Sequence, residues 1–170
     1  METEPKDVIV LGSIRRGKKK FSNIQNETKI SGEELNSILE ELENKKFIRV
    51  EEKKGLFGKK IELKITETGS EELDRKIIEI QSKWKEMKSL YENGDKQQLQ
   101  QKMEENKSFL PTMMFFGVMD MMMFSMMFSM MGIGMSDFVS QQDMADQGMD
   151  DGGMDDGGMD DGGFDFDIGF

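Results

Sequence analysis

Between Met113 and Met135 the chain places eleven methionines in twenty-three residues and interleaves Phe115, Phe116, Phe124 and Phe128. A helix that is apolar on every side cannot stand alone in water. This run must therefore be covered by its own chain, a second copy, a partner or a bilayer. Met is unbranched and polarizable, so so dense a run packs adaptably and suits a surface that meets varied apolar partners. The residues expected to face such a partner are Met114, Phe115, Met119, Met122, Met123, Met126, Met127 and Met130.

From Thr112 to Met135 the run has the ~20 residues that a bilayer span requires. Asp120 near its middle carries an insertion cost of ~2.5–3.5 kcal/mol, and Gly117, Gly132 and Gly134 loosen a helix there. Lys107 precedes the run and no Lys or Arg follows it, which would leave the N-terminal part in the cytoplasm if the run inserted. A partner-covered segment is expected, either folded back on residues 73–110, in the core of an oligomer or as a groove for apolar clients. A membrane tail anchor is the alternative.

Cys and His are both absent, which removes disulfides, thiol nucleophiles, imidazole bases and the common metal ligands. No spacing of Ser, Lys or carboxylates suggests catalysis, so neither an enzyme, a metal nor a cofactor is expected. The missing Cys fits a reducing cytoplasm, and the acidic start METEPKDVIV is not a secretory signal. A cytoplasmic protein is expected.

Charge is strongly partitioned. Residues 1–107 carry 23 Lys plus Arg against 22 Asp plus Glu, whereas residues 108–170 carry 12 Asp and no cation. This marks a folded part followed by an acidic, solvating tail. The tail repeats a pentad, Gly148-Met149-Asp150-Asp151-Gly152 and onward, which is too rich in Gly and Asp to offset its ordering entropy, so disorder is expected over 140–170. Its period does not match a calcium loop. Phe164, Phe166, Ile168 and Phe170 alternate to the last residue, a pattern able to add to a partner's sheet edge.

The first seventy-five residues read as an ordered series of elements. A helix from about Pro5 to Arg16 buries Val8, Ile9 and Leu11, and a short one over Phe21–Thr28 turns Phe21 and Ile24 inward. Ser31-Gly32-Glu33-Glu34 reads as a capping box that opens a third helix with Leu35, Ile38, Leu39 and Leu42 on one face. Alternation at Ile48/Val50/Glu52 and Ile61/Leu63/Ile65, joined across residues 53–60, predicts a hairpin, and Thr68-Gly69-Ser70-Glu71 reads as a second capping box before another helix.

This series resembles the winged helix-turn-helix regulators of the PadR and MarR-like, archaeal type over residues 5–75. The residues that carry the resemblance are Phe21, Ile24, Thr28, Ile30-Ser31, Leu35, Leu39, Leu42, Phe47-Ile48 and Ile65-Thr66-Glu67-Thr68-Gly69 before Leu73. It implies duplex DNA as partner, with the third helix in the major groove and the wing on the backbone. On that helix Asn36 and Ser37 can reach base edges, while Glu33, Glu34, Glu40, Glu41 and Glu43 work against phosphate contact. The positive charge lies to either side, in Arg15, Arg16, Lys18, Lys19 and Lys20, and in the wing lysines Lys53, Lys54, Lys59 and Lys60. These clusters can straddle a duplex or grip structured RNA. Leu56-Phe57 adds an apolar point at the wing tip.

Beyond the wing, Leu73, Ile77, Ile80, Trp84, Met87 and Tyr91 form a heptad seam suited to pairing two subunits. Asn93-Gly94 ends that helix and Asp95 caps another with Leu99, Met103 and Leu110 inward, so a helical hairpin is as economical as a homodimer.

The expected fold is mainly α with a small β-hairpin wing, then a helical region and a disordered tail. Its parts are a winged-helix domain (1–75), a heptad helix and helical hairpin (76–110), the Met/Phe-rich segment (111–139) and the acidic tail (140–170). The function expected first is a dimeric, nucleic-acid-binding transcriptional regulator. The alternative is a chaperone-like or ribosome-associated adaptor that holds hydrophobic client segments in the Met run, whose composition is similar to client-binding Met-rich segments and whose tail is similar to Gly-Gly-Met chaperone tails. A tail-anchored membrane regulator is the third reading. If the acidic tail shields the basic clusters in cis, deleting residues 144–170 tightens binding to DNA or RNA at low salt, and an equilibrium titration showing unchanged affinity removes the idea.

Overall fold

The computed structural model describes residues 4–139, so the acidic repeats and the Phe164 to Phe170 terminus lie outside the described residues. The described part contains α1 (Pro5–Arg15), α2 (Phe21–Thr28), α3 (Gly32–Asn44), β1 (Ile48–Gly55), β2 (Gly58–Ile65), α4 (Glu67–Glu92), α5 (Lys96–Glu105), α6 (Leu110–Phe115) and α7 (Met121–Met131), with short 3-10 turns at Lys107–Phe109 and Met135–Asp137. This is the expected winged-helix order followed by helices.

Two apolar cores share α4. The first gathers Val8, Val10, Leu11 and Ile14 of α1, Ile24 and Ile30, Leu35, Ile38 and Leu42 of α3, Ile48 and Leu63 of the hairpin, and Leu73 of α4. α1 is central to it and is buried on nearly all sides. α2 ends at Lys29 in the left-handed conformation, φ 58°, which turns the chain sharply into Ile30 and α3. The hairpin is antiparallel and in register, with Ile48 opposite Ile65, Val50 opposite Leu63 and Gly55 opposite Gly58. Its strands run farther than the alternation alone marks, leaving only Leu56 and Phe57 in the turn.

Two cap assignments need correction. Ser31 accepts from the Glu34 amide at 3.3 Å as expected, but the Glu34 carboxylate takes Lys6 of α1 instead of reaching back. The cap of α4 lies two residues before that of the second expected box. It is Thr66, whose hydroxyl accepts from the Gly69 amide at 3.0 Å and donates to the Lys46 carbonyl at 2.6 Å. A residue that bonds both the helix start and the preceding turn outcompetes Thr68, which is exposed. Gly69 packs so closely on Phe47 that a Cβ would run into the Phe47 carbonyl.

The second core covers the methionine run. Ile80, Trp84 and Met87 of α4 and Leu99 and Met103 of α5 receive Leu110, Met113, Met114, Met119, Phe124, Met127, Phe128 and Met131. The run is two helices, not one. Gly117 takes φ 63° after α6, and Asp120 then caps α7 by accepting from the amides of Met122 at 3.0 Å and Met123 at 3.1 Å. Asp120 is thus the start signal of a helix, and a carboxylate beside a helix N-terminus is stabilising. No helix among the described residues is long and apolar enough to cross a membrane. Aromatic edges line the core, with Trp84 and Phe124 centroids 6.4 Å apart and Phe124 and Phe128 4.9 Å apart at 90°.

The seam residues meet their own chain. Leu73 lies in the first core, Ile77 packs against it, Ile80, Trp84 and Met87 lie in the second, and Tyr91 packs against the second. The helical hairpin, weighed above beside the dimer seam, is the arrangement that α4 and α5 adopt, and it leaves those side chains little surface for another subunit. Of the eight residues expected to face an apolar partner, Met114, Met119 and Met127 are buried, Phe115, Met123 and Met130 are half-buried, and Met122 and Met126 are exposed.

Backbone crowding and side-chain crowding predict different costs. Gly69→Ala meets a carbonyl and should cost about 1–3 kcal/mol, while Gly12→Ala meets the Phe116 ring, which can rotate, and should cost less. Urea unfolding followed by Trp84 fluorescence checks the order.

Candidate nucleic-acid interface

α2, the turn at Lys29 and α3 place one face of α3 outward, and β1 and β2 stand beside it. A groove of about 320 Å³ runs between them, lined by Phe21, Asn36, Glu40, Glu43, Val50 and Ile61 among others. Asn36 donates to Glu40 at 3.2 Å, which holds the amide on that outer face. The groove floor is apolar, with Phe21, Val50 and Ile61 all substantially exposed.

One backbone bond joins the two expected basic clusters. The Leu63 amide donates to the Lys19 carbonyl at 2.8 Å, pinning the loop Lys18-Lys19-Lys20 against β2. All three lysines are exposed, as are Lys53, Lys54, Lys59 and Lys60. The loop and the hairpin therefore flank the same outer surface as Asn36. Ser37 is exposed too, but it lines a different cleft of about 570 Å³ with Lys6, Asp7, Glu34 and Glu41. Burial raises the Asp7 carboxyl above the ordinary range, against the lowering effect of its bond from the Glu4 amide.

Arg15 and Arg16 are engaged elsewhere. Arg15 pairs with Asp74 of α4. Arg16 pairs with Glu27 at 3.3 Å, donates to the Phe115 carbonyl at 2.6 Å and lies 4.1 Å over the Phe115 ring. These contacts tie α1 to its neighbours, and Arg16 in particular fastens α6 to the winged helix. The signal for Arg16 lay ninety-nine residues away, where no local pattern reports it.

The acidity of α3 is partly neutralised within the chain. Glu34 pairs with Lys6, and Glu41 with Lys45 at 2.6 Å. Both carboxylates thus lie on the side toward α1, while Glu33, Glu40 and Glu43 remain exposed.

On the hairpin, alternation sorts the charges into two faces. Arg49 opposite Lys64, Glu51 opposite Glu62 and Lys53 opposite Lys60 share the outer face. Arg49 and Lys64 are cations that sequence reasoning missed, although continuing the same alternation through β1 and β2 finds them. Like charges directly opposite repel, and here the lysines relieve the glutamate pair. Lys64 lies 2.8 Å from Glu51 and Lys53 3.0 Å from Glu62. Those hydrogen bonds hold both carboxyls below the ordinary glutamate range. Among the described residues, no group of three or more His, Cys, Asp or Glu is placed to hold a metal ion.

A depressed folded-state pKa stabilises the hairpin at pH values above the ordinary glutamate range and loses that support as pH falls through the folded value. In a carboxyl NMR titration, Glu51 should titrate below the ordinary glutamate range, and Lys64→Gln should return it toward that range. An unaltered titration in the variant contradicts the assignment.

The family described as HxlR-like helix-turn-helix matches residues 5–93, from the first residue of α1 to the cap that ends α4 and just over half of the chain. The chain matches no curated protein and no solved structure.

Proposed function

The chain belongs to the HxlR-like helix-turn-helix family, and from that premise we propose that it is a winged-helix transcriptional regulator that reads duplex DNA with α3 and grips the backbone from both sides. The observation that supports the reading is the Leu63–Lys19 bond, which holds the loop lysines against β2 beside the groove that Asn36 lines, with Lys54 and Lys59 on the groove's own face of the hairpin. Phosphate contacts position a protein and base contacts specify its site. Lys18, Lys19, Lys20, Lys54 and Lys60 are assigned to phosphates. Lys53 and Lys59 join them by exchanging Glu62 and Glu52 for phosphate oxygens. Asn36 is assigned to base edges, where its amide can serve adenine once it leaves Glu40, while Ser37, which faces the other cleft, is not assigned a base. Arg15 and Arg16 serve the scaffold in this reading.

A homodimer is part of the proposal. With the heptad seam occupied inside the chain, the surface offered to a second copy is the outer face of α4, where Ile78 is 66% exposed beside Lys85 and Lys88. Two copies would read half-sites about one helical turn apart. The resemblance to PadR and MarR-like regulators over residues 5–75 extends to the winged-helix architecture, and the family that matches is the HxlR-like one. The adaptor reading is less favoured, because the methionine run fills its own core and leaves mainly Met122 and Met126 outward.

The test is a duplex titration with the intact chain over a range of salt, coupled to footprinting. Lys54→Gln with Lys60→Gln should weaken binding to all sequences alike and flatten the log–log salt slope by about 1.8 for two lost contacts. Asn36→Ala should instead relax preference at one position of each half-site, by roughly 1–3 kcal/mol. Binding that is indifferent to sequence in the unaltered chain contradicts the regulator.

A further inference from the structure

The hairpin ends in an arrangement that phosphate contact alone does not explain. Leu56 and Phe57 are fully exposed, at 100% and 101%. They occupy a turn closed by Gly55 and Gly58, and the positive φ required there falls to Gly58 at 121°. Nothing in the described chain covers either side chain. Directly behind them stand two pairs of like charges, Lys54 opposite Lys59 and Lys53 opposite Lys60. Lys54 and Lys59 continue the face that carries Val50 and Ile61, while Lys53 and Lys60 lie on the opposite face.

We propose that Leu56 and Phe57 form an apolar wedge that enters the minor groove of the bound duplex and partly unstacks one base step, with the four lysines holding the phosphate rows on its two rims. This inference rests on the regulator reading and deepens it, by naming what the wing does to the DNA. Three features point to a groove rather than a flat anionic surface. Cations on both faces of one ribbon match anions on both sides of it, as in a groove bounded by two phosphate rows. The minor groove, about 6 Å wide, admits a narrow tip of this kind, and Phe and Leu are among the side chains that wedge between base steps there. Finally, the Lys54/Lys59 face is continuous with the groove beside α3, so one bound duplex can meet both.

Unstacking is easiest at pyrimidine–purine steps. The wedge therefore adds a sequence preference for a TA or CA step outside the positions that α3 reads, without hydrogen bonds to those bases. It also bends the duplex toward the major groove.

The experiment uses the full chain, a duplex carrying 2-aminopurine next to a TA step at the wing position, and vesicles of phosphatidylserine and phosphatidylcholine. The unaltered chain should raise the 2-aminopurine fluorescence on binding. Leu56→Ser with Phe57→Ser should abolish the rise and weaken binding about tenfold, and should leave the salt slope unchanged. Lys54→Gln should do the reverse, flattening the slope while the rise persists at saturation. The tip residues touch no core, so the thermal midpoint of the variant should match that of the parent. Equal fluorescence and affinity in the serine variant overturn the wedge and leave the regulator standing. Vesicle binding that depends on Phe57 while duplex binding does not assigns the tip to a lipid surface and overturns the wedge. Absence of duplex binding by the unaltered chain overturns both.

Discussion

Thr66 and Gly69 set the position of α4, and two cores depend on that position. The Thr66 hydroxyl bridges the Lys46 carbonyl and the Gly69 amide, its own amide donates to the Phe47 carbonyl at 2.9 Å, and Gly69 lies against the same residue. The start of a 26-residue helix is thus locked to the base of the hairpin. One end of that helix inserts Leu73 among the side chains of α1 and α3, and its later turns present Ile80, Trp84 and Met87 to α5–α7. Because interiors are close-packed, a rotation of α4 would be felt on both sides. A second tie runs through Phe116, which packs against both cores, and through Arg16, which is bonded to Phe115. The reading head and the methionine-rich core are mechanically joined at two places.

The choice of methionine makes sense in this setting. α6 and α7 are short, separated by a glycine turn, and must fill an irregular space around Trp84, Phe124 and Phe128. An unbranched, flexible side chain fills such a space without demanding one geometry. Rigid aromatic edges supply the definition that methionine lacks. The run that looked built for a partner is largely spent on this core, and its polar interruptions become structure: Gly117 turns the chain and Asp120 starts α7.

Local patterns were the legible part. Helical spacing located α1, α2, α3 and α5, alternation located the hairpin, and Asp95 caps α5 through the Gln98 amide at 3.1 Å as its sequence suggests. What could not be read locally depends on distant partners. Thr68, with Glu71 three residues on, carries the capping-box pattern that Thr66 lacks, and the Lys46 carbonyl that favours Thr66 lies twenty residues away. The heptad spacing of α4 is compatible with a dimer seam or a hairpin, and the packing of α5–α7 on it comes from residues that its own spacing does not report. Likewise Arg16 sits in a basic run with Lys18, Lys19 and Lys20, yet its guanidinium is claimed by Phe115. Of the proposed interface, the charge clusters were visible in sequence, while the Lys19 carbonyl that joins them to β2 was not.

The electrostatics of the reading surface limit how tightly it can bind. Described residues on and around it pair cations with carboxylates repeatedly: Lys53 with Glu62, Lys59 with Glu52, Lys64 and Arg49 with Glu51. A phosphate arriving at such a lysine displaces a carboxylate rather than a mobile counterion, so part of the usual gain from counterion release is lost. Of these pairs, the one exposed on both sides, Lys59 with Glu52, is worth little, so that exchange is accessible. The carboxylates left behind then repel the backbone they face, as do Glu33, Glu40 and Glu43 on α3. In the proposed reading, the consequence is a surface whose many lysines give only modest non-specific affinity. On such a surface discrimination must come from contacts that charge does not provide, which gives weight to the amide of Asn36 in one groove and to the uncovered side chains at the hairpin tip.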